Sequence, residues 1–63
     1  MSDHEFVEQA AREYVQRHGT DSVTILRDRA EMADEIGDVL SAEAWRDIAD
    51  AAERILRQEP SAP

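Results

Sequence analysis

The sequence contains no cysteine, so disulfide bonds and thiolate zinc sites are excluded as sources of stability. Its two histidines, His4 and His18, are too few for a structural metal cluster. A chain of 63 residues buries only about 60% of the surface that its unfolded state exposes. Domains of this size usually depend on a covalent or metal staple or on oligomerisation. We therefore expect close helix packing or self-association to stabilise the fold.

Long apolar runs are also missing. No segment approaches the ~20 apolar residues that cross a bilayer. The opening residues, Met-Ser-Asp-His-Glu, lack the basic and apolar regions of a signal peptide. These absences predict a cytoplasmic protein.

Basic charge is scarce. Lysine is absent, and the chain has seven arginines and fifteen acidic residues, for a formal net charge of −8 at pH 7. Because affinity for nucleic acids and anionic membranes comes from clustered lysine and arginine, we expect neither direct nucleic-acid binding nor a membrane partner. A basic protein, or a basic patch on one, is the electrostatically matched partner.

Only two glycines are present, and each follows a segment with helical periodicity. Gly19 and Gly37 are predicted to be the left-handed residues that end the first and second helices. Helices are therefore predicted at about residues 3–18, 22–36 and 42–57. Since no long stretch alternates with a period of two, no strand is expected.

The helix starts follow from capping residues. Ser2 and Glu5 match a capping box for the first helix. Asp21 or Thr20 is the predicted cap of the second helix, and Ser41 is the predicted cap of the third. The short connections between helices favour antiparallel neighbours, and the sequence predicts an all-α fold, a small three-helix up-down-up bundle. Residues 1–58 form the predicted domain, and residues 59–63 the predicted disordered tail.

The apolar residues of each helix fall on one face. The apolar arc is widest on the second helix, about 180°, so this helix is predicted to be the middle one, in contact with both neighbours. Two alternatives are open for the part of that arc formed by Ile25 and Met32: a homodimer covers it, or the third helix covers all of it. The predicted large core residues are Phe6, Tyr14, Leu26, Met32, Ile36, Leu40, Trp45, Ile48, Ile55 and Leu56.

Motifs that carry catalysis are not found. There is no glycine-rich phosphate loop, and no serine lies in a nucleophile-elbow pattern. His18 stands beside Gly19 at the predicted end of the first helix, a place that favours a structural role for it over a catalytic or ligand role. We predict no enzyme activity, no catalytic residue, no cofactor and no metal site.

The acidic residues of the second helix are the unusual feature. Asp28, Glu31, Asp34 and Glu35 share one polar face, and Asp38 follows the helix end. Like charges three or four residues apart destabilise a helix, and acids near its C-terminus oppose the helix dipole. Three interpretations are open: a solvated face, a docking surface for arginine or lysine of a partner protein, or a divalent-cation site. The last does not match the loop-borne oxygen ligands of Ca²⁺ sites.

Six short pieces of the sequence resemble small uncharacterised helical proteins of GC-rich bacteria, and the resemblance covers just over half of the chain. The resemblance implies an all-α fold and implies no activity, cofactor or catalytic residue. The matching pieces are Tyr14-Val15, His18-Gly19, Ile25-Leu26, Arg29-Ala30, Gly37-Asp38 and Ala44-Trp45-Arg46-Asp47-Ile48-Ala49.

The sequence thus favours a non-enzymatic protein-interaction module. Its predicted contact is the acidic face of the second helix, with Asp28, Glu31, Asp34, Glu35 and Asp38 binding a basic partner protein. The most specific form of this hypothesis is an inhibitor or antitoxin-like protein that mimics a nucleic-acid backbone. The alternative is a structural homo-oligomer, or a small subunit of a larger assembly, held by apolar contacts.

Overall fold

The computed structural model describes residues 3–58, which form the helices α1 (Asp3–His18), α2 (Asp21–Glu35) and α3 (Val39–Gln58). No strand occurs in this range, so the predicted all-α three-helix class is confirmed. The predicted Ser2 cap and the predicted tail at 59–63 lie outside the described residues.

Contacts between the helices give their directions. Arg46 pairs with Asp34, and Arg27 approaches Asp50. Later residues of α3 therefore meet earlier residues of α2, and the two helices are antiparallel. α1 and α3 run in the same direction, because His4 lines a groove with Asp47 at one level and Val15 lines another with Ile55 further along both helices. The helices thus run up, down and up.

Gly19 ends α1 in the left-handed conformation, with a φ of 61°. Its backbone N–H donates to the carbonyl of Val15 over 2.8 Å, which is the single bond of an αL C-cap. A residue with a Cβ rarely adopts such a φ because the side chain crowds the following carbonyl. The predicted stop at Gly19 is confirmed.

Gly37 ends α2, also in the left-handed conformation, with a φ of 80°. The N–H of Gly37 donates to the Asp34 carbonyl over 3.0 Å, and the N–H of Asp38 donates to the Ala33 carbonyl over 2.8 Å. These two bonds form a Schellman motif, which satisfies carbonyls that the helix end leaves unpaired. The stop at Gly37 is confirmed as well.

Ser41 does not cap α3, in contrast to the prediction from the sequence. The helix begins at Val39, and the cap is Asp38, whose Oδ1 accepts the Ser41 N–H over 3.2 Å. The Asp38 carbonyl then accepts the Ala42 N–H over 3.0 Å. Aspartate and serine are both good caps. Because the Schellman motif at Gly37 places Asp38 directly before the first turn of α3, Asp38 caps the helix and Ser41 does not.

The start of α2 matches one of its two predicted caps, but in position only. Thr20 stands at the cap position, but its side chain makes no capping hydrogen bond, and Asp21 is the first residue inside the helix. The fully buried Ser22 donates its hydroxyl to the Gly19 carbonyl over 2.7 Å instead. A buried hydroxyl needs such a partner, and this bond ties the start of α2 to the end of α1.

The central helix is α3, and the prediction that the second helix is central is wrong. α3 packs extensively against both α2 and α1, which contact each other at far fewer positions. The reason is the small side chains of α3, which allow close approach on two sides. Its buried residues are Ala42, Ile48, Ala49, Ala51 and Ala52.

The core is narrow, and part of the predicted set lies outside it. Leu26 and Ile48 are buried as predicted, and Tyr14, Trp45, Ile55 and Leu56 are half-buried. Four predicted core residues are exposed, namely Phe6 (60%), Met32 (60%), Ile36 (80%) and Leu40 (81%).

The offset between α1 and α3 explains much of this exposure. The first turns of α1 lie beside Asp47 and Asp50 of α3. Tyr14 of α1 reaches Trp45 in the second turn of α3, but the described part of α1 leaves Met32, Ile36 and Leu40 exposed at the corner between α2 and α3. Apolar side chains at that end of the bundle face solvent.

Candidate functional site

The five predicted contact residues are all exposed, but the structure divides them into two groups. Asp28, Glu31 and Glu35 are spaced i, i+3 and i+7 on α2, which places them within about 60° of one another around the helix. We call these three residues the acidic row. Among residues 3–58, none of the three forms an ion pair or a side-chain hydrogen bond.

The other two predicted contact residues have partners within the chain. Asp34 binds the guanidinium of Arg46 across the α2–α3 interface. Asp38 caps α3, and its hydrogen bonds from the Ser41 side chain and backbone lower the pKa of the Asp38 carboxyl below its ordinary value, because they favour the charged form. The roles that the structure shows for Asp34 and Asp38 are therefore internal.

Arginines neutralise most of the acids around the helix interfaces. Arg27 lies 3.6 Å from both Asp50 and Glu53 of α3, and Arg54 donates to Glu8 of α1 over 2.9 Å. These pairs are about half exposed, so each contributes at most about 1 kcal/mol to stability. These ion pairs involve acids that lie between helices. None of them includes the acidic row, which lies on the outer side of α2.

Negative charge is concentrated toward the C-terminal end of α2. This helix has no basic residue in its last turn, and a helix C-terminus carries the equivalent of about half a negative charge. Glu31 and Glu35 add their carboxylates to that end. The site therefore attracts cations by the combined field of the dipole and the acidic row.

A divalent-cation site was one of the interpretations open at the level of sequence, with Glu31, Asp34, Glu35 and Asp38 as ligands. Within residues 3–58, no group of three or more histidine, cysteine, aspartate or glutamate side chains is placed to hold a metal ion. The four carboxylates do not converge.

An apolar groove lies next to the acidic row, and the sequence did not indicate it because Met32 and Ile36 were assigned to the core. We call it the corner groove; it has a volume of about 280 Å³ and runs between the end of α2 and the start of α3. Its apolar walls are Met32, Ala33, Ile36 and Trp45, with Arg29 at one end and Asp38 and Ser41 at the other.

Trp45 connects the corner groove to the core. Its ring meets that of Tyr14 edge-on, with centroids 6.3 Å apart, and the Arg29 guanidinium lies 5.7 Å from its centroid. The half-buried indole is thus fixed from inside by an aromatic contact and from outside by a cation–π contact. Its predicted place on the core stripe is correct for one side of the ring, and the other side lines the groove.

A small all-α three-helix bundle is the class that the fold defines. No family model matches this chain, and neither a curated protein nor a solved structure shows significant similarity to it. Across residues 3–58, no helix combines the length and apolar character that a membrane span requires.

Proposed function

We propose that the protein is a non-enzymatic interaction module whose acidic row binds a basic partner protein. The observation that carries the proposal is the clustering of three exposed, uncompensated carboxylates on one face of α2. The chain pairs Glu8, Asp34 and the Asp50–Glu53 pair with arginines. It leaves the three adjacent carboxylates of the acidic row without a cationic partner in the described part of the chain.

This arrangement opposes the stability of α2. Asp28 and Glu31 are three residues apart and Glu31 and Glu35 are four apart, and each such like-charge pair costs roughly 0.2–0.5 kcal/mol. Glu35 also faces the negative end of the helix dipole. The sum approaches 1 kcal/mol, which is a substantial fraction of the stability of so small a domain. A cationic partner removes this cost on binding.

The shape of the acidic row favours an extended basic surface as the target. The row spans about 10 Å along the axis of α2, the axial length occupied by about three phosphates of one DNA strand. The most specific form of the proposal is an inhibitor or antitoxin-like protein that occupies the nucleic-acid site of a basic target. It would act in the cytoplasm of a bacterium, in keeping with the resemblance of its sequence to small helical proteins of bacteria.

A second candidate function has one observation in its favour. Met32, Ile36 and Leu40 are large and exposed, which is typical of surfaces that other chains cover. A structural homo-oligomer, or a small subunit held by apolar contacts, would use this surface.

Salt and charge variants separate the two functions. The tagged protein is used to capture partners from its own cells at about 50 mM and about 500 mM salt, where the screening length falls severalfold. The test variant neutralises the acidic row by Asp28→Asn, Glu31→Gln and Glu35→Gln. The matched control removes three exposed charges elsewhere by Glu13→Gln, Glu43→Gln and Asp47→Asn.

The acidic-row variant is expected to bind the captured partner more weakly than the control does. Three exposed charge pairs of roughly 0.2–1 kcal/mol each correspond to a rise in Kd of about 3- to 150-fold. The variant should be at least as stable as the wild type, because the like-charge repulsion is gone. Equal binding by variant and control, or binding that strengthens with salt, would contradict the proposal and favour apolar assembly.

A further inference from the structure

The corner groove and the acidic row lie side by side, and together they have the character of a helix-binding surface. We infer that this combined surface binds an amphipathic basic helix, with its apolar residues in the corner groove and its arginines or lysines over the acidic row. The inference rests on the proposed function, because it names the kind of segment that the basic partner presents.

The exposure of the groove is the first observation. Among residues 3–58, four of the five exposed large hydrophobic residues belong to the corner between α2 and α3: Met32, Ile36, Val39 and Leu40. Methionine adapts its shape to different partners and is common in grooves that bind helices. An apolar surface concentrated at one end of a small acidic protein is a binding feature rather than scattered exposure.

The position of Met32 joins the groove to the acidic row. On α2, Asp28 precedes Met32 by four residues and Glu35 follows it by three, so both carboxylates are surface neighbours of its side chain. Ile36 continues the apolar line four residues after Met32. A partner helix lying along α2 therefore meets an apolar stripe and an acidic stripe at the same time.

Charge complementarity selects the occupant. A second copy of this chain carries the same formal charge of −8 and the same acidic row, so pairing two such surfaces brings like charges together. A helix with apolar residues at i and i+4, flanked by arginine or lysine, satisfies both stripes.

The two ends of the groove give the direction of binding. Asp38 stands at one end and Arg29 at the other. The positive N-terminal end of a partner helix fits beside Glu35, and its negative C-terminal end fits beside Arg29. The partner helix is therefore expected to run antiparallel to α2.

Synthetic helical peptides without tryptophan test the inference on the full chain, with the emission of Trp45 as the signal for occupancy of the groove. The first peptide carries leucines at i, i+4 and i+7 with flanking arginines. The second replaces those leucines by alanine, and the third replaces the arginines by glutamate. The first is expected to bind, the second to bind at least roughly tenfold more weakly, and the third not to bind.

Variants of the protein separate this inference from the proposed function. Ile36→Gln and Met32→Gln are each expected to weaken the first peptide roughly tenfold, whereas Phe6→Gln, which removes an equally exposed apolar residue on α1, should bind like the wild type. If Ile36→Gln and Phe6→Gln bind alike while the acidic-row variant loses binding, the groove inference fails and the proposed function stands. If the acidic-row variant binds the first peptide as tightly as the wild type, the proposed function fails.

The oligomeric state supplies the remaining outcome. Sedimentation of the wild type alone is expected to show a monomer across the concentrations used for peptide binding. A dimer that Ile36→Gln disrupts would show that a second copy occupies the groove, and it would overturn the assignment to a basic helix.

Discussion

Replacing Gly37 by alanine isolates the energetic contribution of one backbone conformation at the α2–α3 corner. The φ of Gly37 is 80°, and a Cβ built there meets no heavy atom within 4 Å. Steric overlap with neighbouring side chains therefore plays no part. The whole effect of Gly37→Ala comes from placing an L-residue in the left-handed region.

The magnitude follows from that conformation. A left-handed residue with a Cβ costs roughly 1–2 kcal/mol, and alanine lowers the entropy of the unfolded chain by roughly 0.4–1 kcal/mol in the opposite direction. The net loss is about 1 kcal/mol. For a domain of this size it corresponds to a fall in Tm of roughly 4–8 °C.

The assay is thermal and urea unfolding followed by far-UV circular dichroism, with Gly37→Asn and Gly19→Ala alongside. Asparagine tolerates the left-handed region better than alanine does, so Gly37→Asn should lower the stability less than Gly37→Ala does. Gly19→Ala should lose a similar amount, because Gly19 has a φ of 61° and equally open surroundings. A Gly37→Ala protein as stable as the wild type would refute the reasoning, since the corner would then not require a left-handed residue.

Two further predictions concern the core and the α3 cap. Leu26→Ala should lower the free energy of unfolding, measured by urea titration, by roughly 2–5 kcal/mol. The reason is that Leu26 is the only large apolar side chain among residues 3–58 that is fully buried. A loss below about 1 kcal/mol would show that the site collapses around the cavity. The pKa of Asp38 is lowered in the folded protein from its ordinary value of 3.8 by hydrogen bonds from Ser41, so its contribution to stability is present above that pH and is lost as the pH falls through the folded pKa. An Asp38→Asn protein keeps a cap that does not titrate, and its Tm should fall less than that of the wild type between neutral pH and the acid range; parallel falls would exclude the cap as the source.

The helix ends could be predicted from the sequence where one local signal was decisive. Gly19 and Gly37 end their helices as predicted because the left-handed C-cap depends on the missing Cβ and on bonds within one turn. The start of α3 is not decided by the sequence, since Asp38 and Ser41 are both capping residues and lie three positions apart. Only the geometry of the preceding corner selects between them.

The acidic face could be predicted in outline. Helical spacing alone places Asp28, Glu31 and Glu35 together on an exposed stripe of α2. It does not show that Arg46 of the next helix binds Asp34, because that contact joins residues twelve positions apart and depends on how α2 and α3 pack.

The sequence by itself determined the three helices, the stops at Gly19 and Gly37 and the outward position of the acidic row, since all of these follow from interactions within a few residues of one chain segment. Only the tertiary structure decided that α3 is the central helix and that Met32 and Ile36 face solvent beside the acidic row. A helical pattern shows which residues are apolar and share a face. Whether that face is covered depends on the lengths and offsets of the helices that pack against it.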